Sequence, residues 1–485
     1  MGVTTRLYQR KSSTAVINAN AAVMMPTTRH ADIFDCCWGG EERGARCKGL
    51  GLGEGKRNKR MSRFIVMKCR SKLIIPKKNP LLSMYLDNIF VYTCEFRPER
   101  YTICMNIISI LRYTKSLFYS KKKSLITITI DRNALIHNLK EYQRAYPDIQ
   151  FAPVLKSNAY GHGLIPIACI LDKENLPFLI VDSYYEALTL RQNHIKSPIL
   201  IIGYVFPETI KKSRLKNVHF TITSLSQLQT LHDLIRNPIS IHLKIDTGMH
   251  RQGLLPSEIH QAITLIKHNP RLKLQGVCSH LADADSKRRK YNQAQLAQWE
   301  QSVQFFKTTF PDLKYYHISA SAGLLHTDTT THNLARLGLG LYGISTIENT
   351  KLSLKPVLKL TSIISGIKTI KKGDTVGYNN TFTASHDMTI ATIPAGYSEG
   401  IDRRLSNIGQ VEVAKKLCPI IGRISMNITI IDITHIPDIQ VGDRVTLIHD
   451  KPLSPLSVSH IAEQCDTIPY EILIHIPPHL RREVR

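Results

Sequence analysis

Long uncharged apolar stretches are missing from this 485-residue chain, and so is any regular cysteine pattern. The apolar runs at 64–67 and 103–111 are short and broken by Arg or Lys, below the ~18 residues that a bilayer span needs. A clear signal peptide is lacking as well. Of ten cysteines, six precede residue 124, and the remaining four, Cys169, Cys278, Cys418 and Cys465, have no CxxC spacing. That pattern predicts a reducing compartment and no structural disulfides. Acidic residues are scarce at the start, the first being Asp32. Residues 1–123 carry 24 Lys and Arg against 8 Asp and Glu, a balance of +16 within the total of +26, which leaves +10 for the other 362 residues. The basicity therefore belongs mostly to the leader, which argues against nucleic acid or a membrane surface as partner of the whole chain.

The leader invites two readings that its residues do not sustain. The glycine-rich run at 49–57 resembles a phosphate loop, but its first glycine is out of register and Arg57 stands where Ser or Thr belongs. Cys36, Cys37 and Cys47 lack a fourth ligand at zinc spacing, so no metal is expected. The composition has a weak likeness to an organelle transit peptide without a clean amphipathic helix. The expectation is a poorly ordered leader that is not a folded part of the functional protein, with translation starting near Met105 or later.

From Leu125 the texture changes. Residues 126–130 alternate like a strand, and Asp131 is placed to cap a helix running through Leu139. Eight candidate strands follow, at 150–155, 178–181, 198–203, 218–222, 240–245, 274–279, 315–318 and 334–341, with helical stretches between them such as 256–267 and 291–306. The alternation over 124–350 fits an α/β fold, a TIM-type (β/α)8 barrel of ~250 residues; an open doubly wound sheet fits the same pattern. The strand at 151–155 runs into Lys156, followed by Ser157, Asn158, Ala159, Tyr160, Gly161, His162 and Gly163. An amine at the carboxyl end of a barrel strand stands where such folds keep their chemistry, and a desolvated lysine is a Schiff-base nucleophile. Alone, such a lysine reads more readily as a surface loop residue. Other polar groups follow other strands: Lys244 and Arg251 after the fifth, Ser279 and His280 after the sixth, and Ser319 to Gly323 after the seventh, expected to open a helix whose free N–H groups bind phosphate. The eighth itself contributes Arg336, Leu337, Gly338, Leu339 and Gly340. Together on one rim they indicate a phosphate-bearing cofactor.

These strings resemble the alanine racemase family, in family order over residues 124–485. The resemblance implies pyridoxal 5'-phosphate as cofactor, linked to Lys156, with Tyr160, Ser321 and the backbone of Gly338 and Leu339 around its phosphate. It implies that Arg336 faces the pyridine nitrogen, that Arg251 meets the substrate carboxylate, and that Lys244 occupies a position often carbamylated. Residues 351–485 alternate with tight turns, as at Lys372, Gly373 and Asp374, and read as a mostly β domain. Within it, the string from Val376 to Phe382 resembles the segment bearing the second catalytic base, Tyr378. The string around Tyr397 resembles the segment lining the way in for substrate, Gly422 to Met426 the loop whose Met426 N–H holds the substrate carboxylate, and Tyr470 a further phosphate ligand. The implied activity is interconversion of L- and D-alanine, supplying D-alanine for peptidoglycan in a bacterial cytoplasm. Lys156 and Tyr378 act as opposed bases, aided by His280 and Arg336, in a homodimer with shared sites. Several positions depart from the family: Ser157 for Ala, Ala320 for Asn, Leu337 for Pro, Asp402 for Pro, Ser398 and Glu399 for Ala and Asp, and Asn427 for Asp. A basic amino acid decarboxylase of the same fold would carry a Cys and an Asp near the C-terminal cofactor edge, where Gly422 to Met426 stand. A non-catalytic cofactor carrier would lack the β domain, and broad-specificity racemases, to be separated by substrate profile, are commonly exported with the clear signal peptide that this sequence lacks.

Overall fold

A computed structural model describes residues 123–284, 289–325, 330–345 and 352–485. Residues 1–122, with the glycine-rich run and the leader cysteines, lie outside the described residues.

Strands β3 (Leu179–Val181), β4 (Ile199–Ile201), β5 (Val218–Ile222), β6 (Ile239–Lys244), β7 (Leu272–Cys278) and β8 (Tyr315–His317) pair in parallel, in chain order. β2 (Gln150–Pro153) pairs in parallel with β9 (Leu334–Leu337). Bridges from Val154 to Ile180 and from Ala320 to Arg336 join that pair to both edges of the six-stranded sheet, closing a ring of eight. β3 and β4 are buried at every residue, which is why strands covered on both faces read as unbroken apolar runs. The crossover helices supply the outer layer: α1 (Arg132–Ala145), α2 (Leu164–Leu171), α3 (Tyr184–Gln192), α4 (Pro207–Lys212), α5 (Leu225–Leu234), α6 (Ile259–His268) and α7 (Arg289–Thr309). Asp131 caps α1 by accepting the Ala134 N–H at 2.9 Å, and the helix runs beyond Leu139 to Ala145.

Two expected elements differ. The last barrel strand stops at Leu337 because Gly338 (φ −96°, ψ −114°) turns the chain into a single 3-10 turn, Leu339–Tyr342. No α-helix opens after Ser319 among the described residues; a 3-10 turn, Gly323–Leu325, stands there instead.

The strand β1 (Thr127–Ile130) pairs antiparallel with β10 (Leu358–Ile363) and parallel with β19 (Arg482–Val484), so it lies in the C-terminal sheet. Ile128 and Ile130 point into the core while Thr127 and Thr129 do not, the alternation of a half-covered strand. That sheet also contains β15 (Gln410–Val413), β16 (Lys416–Pro419) and β18 (Arg444–Ile448), and a separate antiparallel sheet is formed by β11 (Gly366–Ile370), β14 (Met388–Ile393) and β17 (Thr429–Asp432). A short ribbon of β12 (Thr375–Val376) and β13 (Phe382–Thr383) carries the Tyr378 turn between its strands. Among the described residues, no helix is long and apolar enough to cross a membrane, and no His/Cys/Asp/Glu cluster could hold a metal ion.

The chain end also holds the barrel rim. Arg482 donates from Nη2 to the Gly161 carbonyl at 2.7 Å and from Nε at 3.1 Å. Gly161 has φ +76°, and a Cβ there would collide with the Leu473 carbonyl oxygen. Gly161→Ala is therefore expected to cost more than the ~1 kcal/mol of a left-handed alanine, read as a lower unfolding midpoint in denaturant. An unchanged midpoint would show that this rim tolerates a shift.

Candidate active site

Lys156 follows β2 closely, and the four residues after it do what few non-glycine residues do. Ser157, Asn158, Ala159 and Tyr160 have φ of 54°, 57°, 52° and 50°, one left-handed turn. Such a turn is disfavoured by ~1–2 kcal/mol per L-residue, so neighbours must hold it. The Ser157 N–H donates to Glu186 Oε1 at 2.7 Å, and the Leu164 N–H donates to Asn158 Oδ1 at 2.9 Å. Glu186 is well placed because it sits in the first turn of α3, where it also forms the capping box with Ser183. The turn brings Tyr160 next to Tyr470 and Tyr342, at ring separations of 5.7 and 5.3 Å.

A cleft of about 520 Å³ opens at this end of the barrel. It brings together Lys156, Tyr160, Lys244, Arg251, His280, Ser321, Arg336, Gly338, Leu339 and Tyr470, ten of the residues singled out in the sequence. Three others do not line it. Tyr378, Tyr397 and Met426 are 63%, 43% and 57% exposed on the C-terminal domain. Sequence reasoning passed over Asp182, Thr221, Cys278 and His317, which also line the cleft. Asp182 follows β3 and fits the rule that strand ends carry chemistry, but Thr221 and His317 lie within strands, where they look like any packed residue.

Arg336 is the electrostatic centre. It is 7% exposed and finds no carboxylate among the described residues; its guanidinium donates to the carbonyls of Ser279, His317 and Ile318, each at 2.8 Å. It also meets His317 Nδ1 at 2.8 Å and His280 Nδ1 at 2.9 Å. A guanidinium has only donors, so both Nδ1 atoms must accept and each Nε2 carries the hydrogen. Behind it the chain continues from His317 Nε2 to His242 Nδ1 at 2.9 Å, and from His242 Nε2 to His219 Nδ1 at 3.2 Å. Gly276 makes room for this, since a Cβ there would lie 2.6 Å from His242 Nδ1.

Burial, reinforced by Arg336, pushes His280 down to about 2, and His242 and His317 fall well below the ordinary imidazole value for the same first reason. Burial takes His162 and His219 down to about 4. Burial, aided by Arg336 and Arg251, lowers Lys244, while burial raises the Tyr160 phenol and keeps it a neutral donor. The depressed imidazoles have a stability consequence. Each histidine has a folded value below the unfolded ~6.5, so beneath that pH the unfolded chain binds protons that the folded chain refuses. Stability is then expected to fall as pH drops from about 6.5 towards 4, by up to roughly 1.4 kcal/mol per pH unit for each such histidine. Denaturant midpoints at pH 7.5 and 5.5 check this; equal midpoints would mean that these imidazoles protonate in place.

The donor set suits a phosphorylated aldehyde. Ser321 Oγ accepts the N–H groups of Gly338 at 3.0 Å and Gly340 at 3.3 Å, and Tyr160 Oη lies 3.2 Å from where a Gly338 Cβ would be. With Oγ accepting from both N–H groups, the Ser321 hydroxyl is left to donate its hydrogen beside the Tyr160 phenol, an anion cradle that a side chain at Gly338 would narrow. The buried Thr221 Oγ1 in the same cleft has no hydrogen-bond partner among the described residues. With an amine at one side and a permanent cation at the other, the residues present fit pyridoxal 5'-phosphate.

Residues 130–346 match the family description "Alanine racemase, N-terminal domain", and residues 357–484 match "Alanine racemase, C-terminal domain". An alanine racemase of Sorangium cellulosum is 33% identical over 365 residues, spanning 72% of this chain and 96% of that protein. The solved alanine racemase of Clostridium difficile 630 superposes with a TM-score of 0.70 at 29% identity, covering 75% of this chain and 97% of its own. That of Bartonella henselae, described with covalently bound pyridoxal phosphate, gives 0.65 at 26% identity, covering 75% and 100%. Two adjoining domain matches and a relative aligned over nearly its full length place this chain in the alanine racemase family, a family of isomerases.

Proposed function

We propose that this chain interconverts L- and D-alanine with pyridoxal 5'-phosphate held in the barrel cleft, as a homodimer in the bacterial cytoplasm that supplies D-alanine for peptidoglycan. The observation that carries the reading is the convergence of Lys156, the Arg336–His280 pair and the Ser321–Gly338 cradle on one cleft. Tyr160, Ser321, Tyr470 and the backbone of Gly338 and Leu339 would hold the phosphate, and Lys156 would carry the covalent link. When bound, the cofactor supplies an electron sink that makes the α-proton of an attached amino acid acidic.

The chain's own residues do the rest. Arg336, a fixed cation held by carbonyls and imidazoles, would face the ring nitrogen and disfavour its protonation. Arg251 would bind the substrate carboxylate, with Lys244 beside it as the candidate for carbamylation. Lys156 Nζ would move the α-proton on one face of the substrate. The opposite face needs a second base, and this chain's own Tyr378 lies outside the cleft; the partner subunit's Tyr378 would serve it, with Tyr397 and the Met426 N–H brought in the same way. A phenol is mostly protonated at neutral pH. The neutral His280, accepting from Arg336 at Nδ1, would donate from Nε2 to the phenol oxygen and stabilise its anion.

Chiral analysis of L-alanine incubated with the protein and the cofactor tests this directly. Approach to an equal mixture of enantiomers supports the proposal, while unchanged L-alanine sinks it. A panel of larger amino acids separates an alanine enzyme from a broad-specificity racemase, the latter turning over basic or bulky side chains at comparable rates.

A further inference from the structure

Two loops of the C-terminal domain carry groups proposed to meet substrate: the 3-10 turn Tyr397–Glu399 with its flanking glycines, and residues 422–427 with Met426. Their main chains are in direct contact. The Tyr397 N–H donates to the Ser425 carbonyl at 3.2 Å and the Ser398 N–H to the Met426 carbonyl at 2.9 Å. A Cβ on Gly396 would run into the Ser425 carbonyl oxygen and lie 2.5 Å from that of Met426, so no side chain fits at that crossing.

Glu399 sits between the loops, only 9% exposed. Its Oε2 accepts the Gly396 N–H at 2.8 Å, and its Oε1 accepts from Asn427 Nδ2 at 2.7 Å. One carboxylate therefore holds the residue before Tyr397 and the residue after Met426. Both bonds are short and charge-assisted, the stronger class of protein hydrogen bond. The two positions are also two of the departures from the family pattern, and the structure accounts for them together. A longer acid reaches across to an amide, where an acid at 427 would set a second carboxylate against the first.

We infer that Glu399 and Asn427 are positioning residues for substrate binding: the carboxylate clamp fixes Tyr397 and the Met426 N–H relative to each other, and so sets the affinity for the substrate carboxylate. The inference rests on the proposed roles of Tyr397 and Met426. It makes the polarity of the pair matter, since one partner must donate and the other accept.

The test uses the full-length holoenzyme and four variants. Asn427→Asp places carboxylate against carboxylate and is expected to raise KM for alanine about tenfold or more, the scale of losing a hydrogen bond to a charged group, with kcat within about twofold. Glu399→Gln keeps an acceptor for Gly396 and lets the Asn427 amide turn over but gives up the charge assistance of both bonds, so its KM should rise by less than that of Asn427→Asp. The combined Glu399→Gln/Asn427→Asp protein reverses the polarity, with the introduced amide donating to the introduced acid, and should bring KM back to within about threefold of wild type. If Asn427→Asp does not fold, Asn427→Ala removes the donor without adding charge and carries the same expected rise. A merely structural role would lower the melting temperature without splitting KM from kcat, and the reversed pair would then restore the melting temperature alone. An unmoved KM in the single variant, or no recovery in the reversed pair, overturns the clamp. Absence of racemisation by the wild-type protein instead overturns the function on which the clamp rests.

Discussion

Lys156→Ala is expected to slow racemisation by at least ~100-fold from loss of the base alone, the low end for general acid–base catalysis, with a further loss because the covalent anchor goes too. Two readouts are independent of turnover. The visible absorbance of the lysine-bound cofactor should vanish, and borohydride reduction followed by peptide mapping should place the cofactor on Lys156 in the wild-type protein and nowhere in the variant. The variant should still fold, because the left-handed turn is held by backbone and side-chain bonds around Ser157, Asn158 and Gly161 rather than by the lysine amine. A variant with more than a tenth of wild-type rate, or with cofactor fixed to Lys244 instead, would remove Lys156 from the scheme. Lys244 is the fair rival, since it lines the same cleft and burial lowers the pKa of its amine.

How much of this was legible beforehand depends on which physical signal each residue leaves. The barrel strands announced themselves because parallel strands covered on both faces need apolar side chains throughout, as at Leu179–Val181 and Ile199–Ile201. Their polar ends pointed to the cleft for the same reason: a charged residue directly after such a run stands out. β1 was visible as a strand, but alternation says nothing about partners, and its place between β10 and β19 depends on residues more than 200 positions away. Asn158, Gly161 and Gly163 mark a turn after Lys156, but its left-handed course over Ser157–Tyr160 was not legible, since none of those four residues is glycine and the conformation is held by Glu186, Asn158 and Arg482. His317, His242 and His219 were silent too. A histidine within a strand reads as packing until its ring nitrogens are seen to be aligned from Arg336 inward. The Glu399–Asn427 contact required two loops 28 residues apart to meet, which no local pattern encodes.

Tyr378→Phe is expected to slow racemisation by at least ~100-fold as well, but unequally on the two faces of the substrate. In D2O, α-proton exchange should persist for the enantiomer whose proton faces Lys156 and collapse for the other; equal rates would take Tyr378 out of the chemistry. The structure sharpens the expectation, because Tyr378 leads a short exposed turn between Gly377 (φ +77°) and Asn379 (φ +62°), and does not line its own chain's cleft. If it reaches a partner's cleft instead, the two inactive variants should complement each other. In a mixed dimer of Lys156→Ala and Tyr378→Phe chains, one cleft combines an intact lysine with an intact tyrosine, while the other has neither. Random reassortment of equal amounts should then restore about a quarter of wild-type activity, the share expected for a closed two-fold dimer with shared sites. Recovery should track the rate of subunit exchange and fail when the chains are cross-linked as parental dimers before mixing. No recovery after demonstrated exchange would mean that both groups act within one chain, which would require the exposed Tyr378 turn to fold back over its own barrel.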